Sequence, residues 1–198
     1  MKMNGISLAA LLLSTSFASG GPFGLSKGMK IEDLPAGLTE TSEQVYRTKN
    51  VPTPSSMMQG YTLIFGKTLG LAKIACNTPN VNTSAYGEGV ITELRKIESA
   101  LTMKYGKPSD KFDFLNEGSI WKQPRYWTMS LFKGERVLAS AWSKTKGDKL
   151  PDNLQSIGIK AVSVDSVDPE KIFILVTYEF DNFKEVSAEL LAKKAEGL

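Results

Sequence analysis

Histidine is absent from all 198 residues. Serine-histidine-aspartate and cysteine-histidine nucleophile systems are therefore excluded, and so are zinc sites built on imidazole. Cysteine is nearly absent too: Cys76 stands alone, so no intrachain disulfide can form. Exported animal proteins usually lean on disulfides, and a disulfide-free export product fits a bacterial periplasm better. Charge of one sign is also missing. The 24 basic residues nearly balance 21 acidic ones, for a net charge of +3, which gives no reason to expect a nucleic-acid or membrane-surface partner. Beyond the N-terminus, no apolar run approaches the ~20 residues of a membrane-spanning helix.

The N-terminus itself reads "MKMNGISLAALLLSTSFA". Lys2 precedes an apolar run from Ile6 to Leu13, and Ser16 and Ala18 form a small-x-small exit. This layout predicts a secretory signal peptide over residues 1–18, cleaved after Ala18. No cysteine near the cut would accept a lipid. The remainder, 19–198, has the length of one domain.

The clearest periodic element is 88–105. Val90, Leu94, Ile97, Leu101 and Tyr105 recur at spacings of four, three, four and four, which is one face of a 3.6-residue period. Gly106 and Pro108 then stop the helix. Strand signals surround it. Tyr61–Phe65 and Leu71–Cys76 flank "GKTLG" as a hairpin, and Val45–Arg47 is a short strand. Trp127, Met129 and Leu131 alternate with polar neighbours, turn at Lys133-Gly134-Glu135, and continue in Val137, Ala139 and Ala141, which predicts a second hairpin. Ile157, Ile159 and Ala161 precede the longest alternation, Ile172 to Phe180. Phe183, Val186, Leu190 and Leu191 suggest a short terminal helix. The expected fold is a single α+β domain: a largely antiparallel sheet packed by one long amphipathic helix and short accessory helices.

Several motifs carry residue types that chemistry could use. "GPFGLSKGMKIEDL" is glycine-rich but lacks the Gly-Lys-Ser/Thr of a phosphate loop, and reads as a glycine-flanked entry to a short helix anchored by Met29 and Leu34. Ser143-x-x-Lys146 matches a serine-lysine pattern without its companion motifs. Asp165, Asp168 and Glu170 lack the alternating ligands of a calcium loop. Asp110, Asp113 and Glu117 are the carboxylates available for glycan hydrolysis. Cys76 closes the apolar run "LGLAKIAC" and reads as a buried thiol. No metal, no cofactor and no catalytic residue is assigned. "SIWKQPRYW" supplies the candidate binding residues. Trp121 and Tyr126 lie beside Lys122 and Arg125, and aromatic faces with basic neighbours stack sugars or grip an anionic partner. Trp127 is in register with Met129 and Leu131 and reads as core.

"GPFGLSKGMKIEDL", "VPTP", "GLAKI", "LTMKYGKPSD", "GSIW", "YWTMSLFKGERVLASAW", "LPDNLQSIGI" and "VTYEF" occur in that order. Together they resemble a group of small exported bacterial proteins with a GPFGLxxGM-type mature N-terminus and no assigned activity. The resemblance implies a signal-peptide-bearing α+β protein of the envelope or exterior, and carries over no catalytic residue. The expected function is a non-catalytic periplasmic binding module, of inhibitor or immunity type in its specialised form. Its partner would be another envelope or exported protein, with no nucleic acid and no transmembrane segment once the signal is removed. The alternative is a histidine-free carboxylate hydrolase acting on cell-wall glycan.

Overall fold

The computed structural model describes residues 20–143, 150–164 and 167–196. The expected signal peptide and its cleavage point lie outside the described residues, as do Lys144, Thr145 and Lys146 of the serine-lysine match and Asp165 of the acidic loop. Eight strands form one sheet: β1 (Thr39–Ser42), β2 (Val45–Thr48), β3 (Gly60–Gly66), β4 (Gly70–Asn77), β5 (Asp110–Leu115), β6 (Arg136–Ser143), β7 (Leu154–Ser163) and β8 (Ile172–Phe180). Their spatial order is β1-β2-β3-β4-β8-β7-β6-β5, and every pairing is antiparallel. Three α-helices accompany them: α1 (Glu88–Tyr105), α2 (Trp127–Phe132) and α3 (Phe183–Glu196). The architecture is a single α+β domain, as the alternation and the helical period predict.

The topology explains why α1 is long. The chain leaves the sheet centre at β4 and re-enters at the far edge as β5, so α1 must cross β8, β7 and β6, the strands it packs against. Eighteen residues make a rod of about 27 Å, and four strand spacings take roughly 19 Å. Its buried stripe is Val90, Leu94, Ile97, Leu101 and also Glu98. Each of the four apolar side chains contributes about 1.5–3 kcal/mol by leaving water. The helix ends at Gly106, whose carbonyl accepts a hydrogen bond from Trp142 Nε1 on β6 at 2.8 Å. From β5 the chain returns as a meander through β6 and β7, so that β8 closes beside β4.

Two expectations need correcting. Trp127–Phe132 is not a strand but α2, one and a half turns long. Over six residues a period of two and a period of 3.6 both accommodate Trp127 and Leu131 in the core, and the adjoining Thr128 and Ser130 are buried as well. The strand that pairs with β6 is instead β5, "DKFDFL", with Phe112 opposite Ala139 and Phe114 opposite Val137.

The glycine-rich opening is a structural strap. It forms two short 3-10 turns, Pro22–Gly24 and Ile31–Asp33. Gly28 N donates to Leu71 O at 2.9 Å and Leu71 N to Met29 O at 2.9 Å, so the strap pairs its backbone with β4. The approach is too close for side chains: a Cβ on Gly70, whose φ is +65°, would lie 2.3 Å from the Gly28 carbonyl oxygen. Leu25 between the glycines is fully buried.

The two faces of the sheet differ. Toward α1 point Tyr61, Leu63, Phe65, Ile74, Cys76, Leu138, Trp142, Ile157, Ile159 and the even-numbered residues of β8, all in the core. Among the described residues, the opposite face is covered only at one corner. There α3 packs on β3 and β4, with Val186 where a Gly66 Cβ would fall and the Lys73 ammonium 4.7 Å from the Phe183 ring centre. Across β5, β6, β7 and the middle of β8, no described element lies on that second face.

Candidate functional site

The uncovered face is unusually apolar for a wet surface. Phe112 and Phe114 project from β5, with 40% and 46% of their surface exposed. Register places Ala139 beside Phe112, then Lys160 on β7 and Leu175 on β8. One residue pair further along lie Ala141, Gly158 and Thr177. The small side chains of Ala139, Ala141 and Gly158 make a depression walled by Phe112 and Leu175, about 180 Å³ in volume. That is room for one bulky apolar side chain, not for a metabolite, since small-molecule sites usually take about 300–1,000 Å³. Lys160 stands exposed at its rim and makes no ion pair with any described residue.

The residues singled out in "SIWKQPRYW" form a second, smaller surface on the segment between β5 and α2. Trp121 and Tyr126 meet edge to face, ring centres 5.4 Å apart at 77°. The Arg125 guanidinium lies 4.8 Å from the Tyr126 ring centre. Lys122 is exposed and makes no contact of this kind with the described residues. Both rings are half-buried. Trp127, next in sequence, is buried under the start of α1, and Arg136 stacks 5.5 Å from its ring centre.

The acidic residues do not converge. Asp110 and Asp113 stand three apart on β5 and so point from opposite faces. Ser109 Oγ donates to Asp110 at 2.8 Å, and Arg136 Nη1 to Asp113 at 3.5 Å. Glu117 is exposed in the turn beyond. Asp168 accepts the Glu170 amide at 2.9 Å, a local turn contact. Among the described residues, no three cysteine, aspartate or glutamate side chains are grouped to hold a metal ion.

The buried carboxylate is Glu98, which the helical pattern did not mark as inward-facing. Its Oε2 accepts from Ser140 Oγ at 2.6 Å and from Arg95 Nη1 at 2.9 Å, and its Oε1 accepts from Lys111 Nζ. Burial alone would raise this carboxyl. The hydrogen bonds from Lys111 and Ser140, with the Lys111 and Arg95 charges, outweigh that and hold it below the usual carboxylate range. A saturated carboxylate joining α1 to β5 and β6 is a structural clamp. Cys76, by contrast, has no charged partner among the described residues; burial pushes its thiol up to about 12.

The signal for the uncovered face was present in β8. "IFILV" is apolar in both registers, and a strand with one solvated face should alternate. Phe173 and Leu175 therefore marked the second face as one that is not simply wet. No protein-family model, no curated protein and no solved structure matches this chain. Among the described residues, no helix is long and apolar enough to cross a membrane.

Proposed function

We propose that the chain is a non-catalytic interaction module of the bacterial envelope, binding another exported protein through the uncovered face of its sheet. The depression between Phe112 and Leu175 carries this reading. Exposed aromatic residues around a small apolar hollow are how binding hot spots are built, with one partner side chain seated and the surroundings excluding water. Lys160 at the rim, which has no ion-pair partner among the described residues, asks for a partner whose bulky apolar residue is flanked by acidic groups. An inhibitor or immunity protein is the specialised form, in which the seated side chain belongs to an exported toxin or wall enzyme. The signal-peptide layout and the likeness to small exported bacterial proteins support the compartment.

The test begins with saturable capture from periplasmic extract and ends with both proteins purified. The wild-type chain binds the identified partner, and Phe112→Asp weakens binding by about tenfold or more, the worth of one well-packed hot spot. Absence of any saturable partner, or equal binding by Phe112→Asp with an intact fold, refutes the reading.

A further inference from the structure

A cleft of about 510 Å³ opens on the same side of the sheet as the depression but at its other half, where β1, β2, β3 and β4 meet the start of β8. Its construction is regular. Thr39 on β1 is opposite Arg47 on β2, and Arg47 is opposite Thr62 on β3, so a guanidinium stands in one cross-strand row between two hydroxyls. Lys49 and Asn77 add a second cation and an amide, and Phe173 forms an apolar wall. Among the described residues, no acidic side chain lines the cleft. Neither Arg47 nor Lys49 has an ion-pair or hydrogen-bond partner for its side chain among the described residues. Gly60 leaves the floor open. A Cβ built there would meet only the Thr48 carbonyl oxygen, at 3.8 Å, an ordinary contact.

We propose that this cleft binds a small organic anion: a carboxylate or phosphate group held by Arg47, Lys49 and the threonine hydroxyls, joined to an apolar ring that lies against Phe173. Two unpaired cations converging without a counter-charge create a positive potential, and a planar guanidinium matches the paired oxygens of such groups. The volume is that of a metabolite-sized ligand. The assignment is independent of the protein partner, because the cleft shares no lining residue with the depression at Phe112.

The test is an amide NMR titration of the full mature chain with benzoate, phenyl phosphate, inorganic phosphate and benzyl alcohol. Saturable shifts centred on Gly60, Thr62 and Asn77 are expected with benzoate or phenyl phosphate, whichever headgroup the site takes. Inorganic phosphate and benzyl alcohol, each carrying half of the ligand, bind more weakly. Arg47→Gln weakens the binding by about tenfold or more, the worth of a charge-assisted hydrogen bond. Gly60→Leu fills the floor, leaves the rest of the spectrum in place and abolishes the shifts. No saturable shift with either aromatic anion overturns the proposal. So does binding that survives Gly60→Leu, or binding of inorganic phosphate or benzyl alcohol as tight as that of the tighter-binding aromatic anion.

Discussion

Ser140 Oγ on β6 donates a hydrogen bond to Glu98 Oε2 on α1 at 2.6 Å, from a position that is itself fully enclosed. The contact locks the crossing helix to the strand that returns beneath it. Lys111 on β5 completes the clamp. The helix that crosses the sheet is thereby tied to the hairpin at its far edge.

Glu98→Gln keeps the shape and removes the charge. We expect a loss of about 1–2 kcal/mol at neutral pH, modest because Lys111 and Arg95 remain partly in water. The pH dependence has a definite sign. The folded-state value lies below the ordinary 4.5, so the clamp's contribution is complete above 4.5 and is lost as pH falls through the lower folded value. Urea unfolding of both proteins over the acidic range checks this: their difference should shrink as pH falls, and a constant difference would contradict it.

Gly87 fixes the start of α1. Its φ is +78°, and a Cβ there would lie 2.0 Å from Trp127 Cε3. Gly87→Ala combines a left-handed backbone cost with displacement of a buried indole, and should cost roughly 2–5 kcal/mol. Thermal unfolding with tryptophan fluorescence reads both the lost stability and the disturbed ring. A shift of less than about 1 kcal/mol would mean that α1 and α2 are not packed so closely.

These two contacts show what the sequence could and could not disclose. The stripe Val90, Leu94, Ile97, Leu101 is a long repeat of one period, and the helix it predicts matches α1 at both ends. Trp127–Phe132 is too short for period to discriminate, and its burial of Thr128 and Ser130 beside Trp127 and Leu131 fits a helix rather than a one-sided strand. β1, "TETS", is exposed at all four positions, so it has no inward side chain to reveal it. β5 escaped notice for a related reason: its regular aromatic pair faces the uncovered side rather than the core. The candidate site was hidden likewise, because Ala139, Lys160 and Leu175 are neighbours only through register. Trp121, Arg125 and Tyr126, close in sequence, were visible as a group and do meet in space.

Cys76 should be chemically silent in the folded protein. Its thiol is buried and pushed up to about 12, so the reactive thiolate is scarce at mildly alkaline pH. Incubation with an aromatic disulfide reagent should give no release over an hour in buffer and one equivalent in guanidinium chloride. Immediate stoichiometric release without denaturant would contradict the burial.

Phe112→Ser with Phe114→Ser probes whether the uncovered face serves folding. Both rings are half in water and contribute mainly through cross-strand pairs, so the double variant should lose about 1–2 kcal/mol at most. Urea titration measures it. A loss above about 3 kcal/mol would place these rings among the residues that hold the fold together.

The most direct measurement is site-specific photocrosslinking in the cells that make the protein. A photoreactive phenylalanine analogue replaces Phe112 on the uncovered face or, as the control, Met103 on the solvent side of α1, which is 84% exposed. One discrete crosslinked protein is expected from position 112, competed by added unlabelled chain, and none from position 103. Equal crosslinking from both positions, or none from position 112, would contradict it.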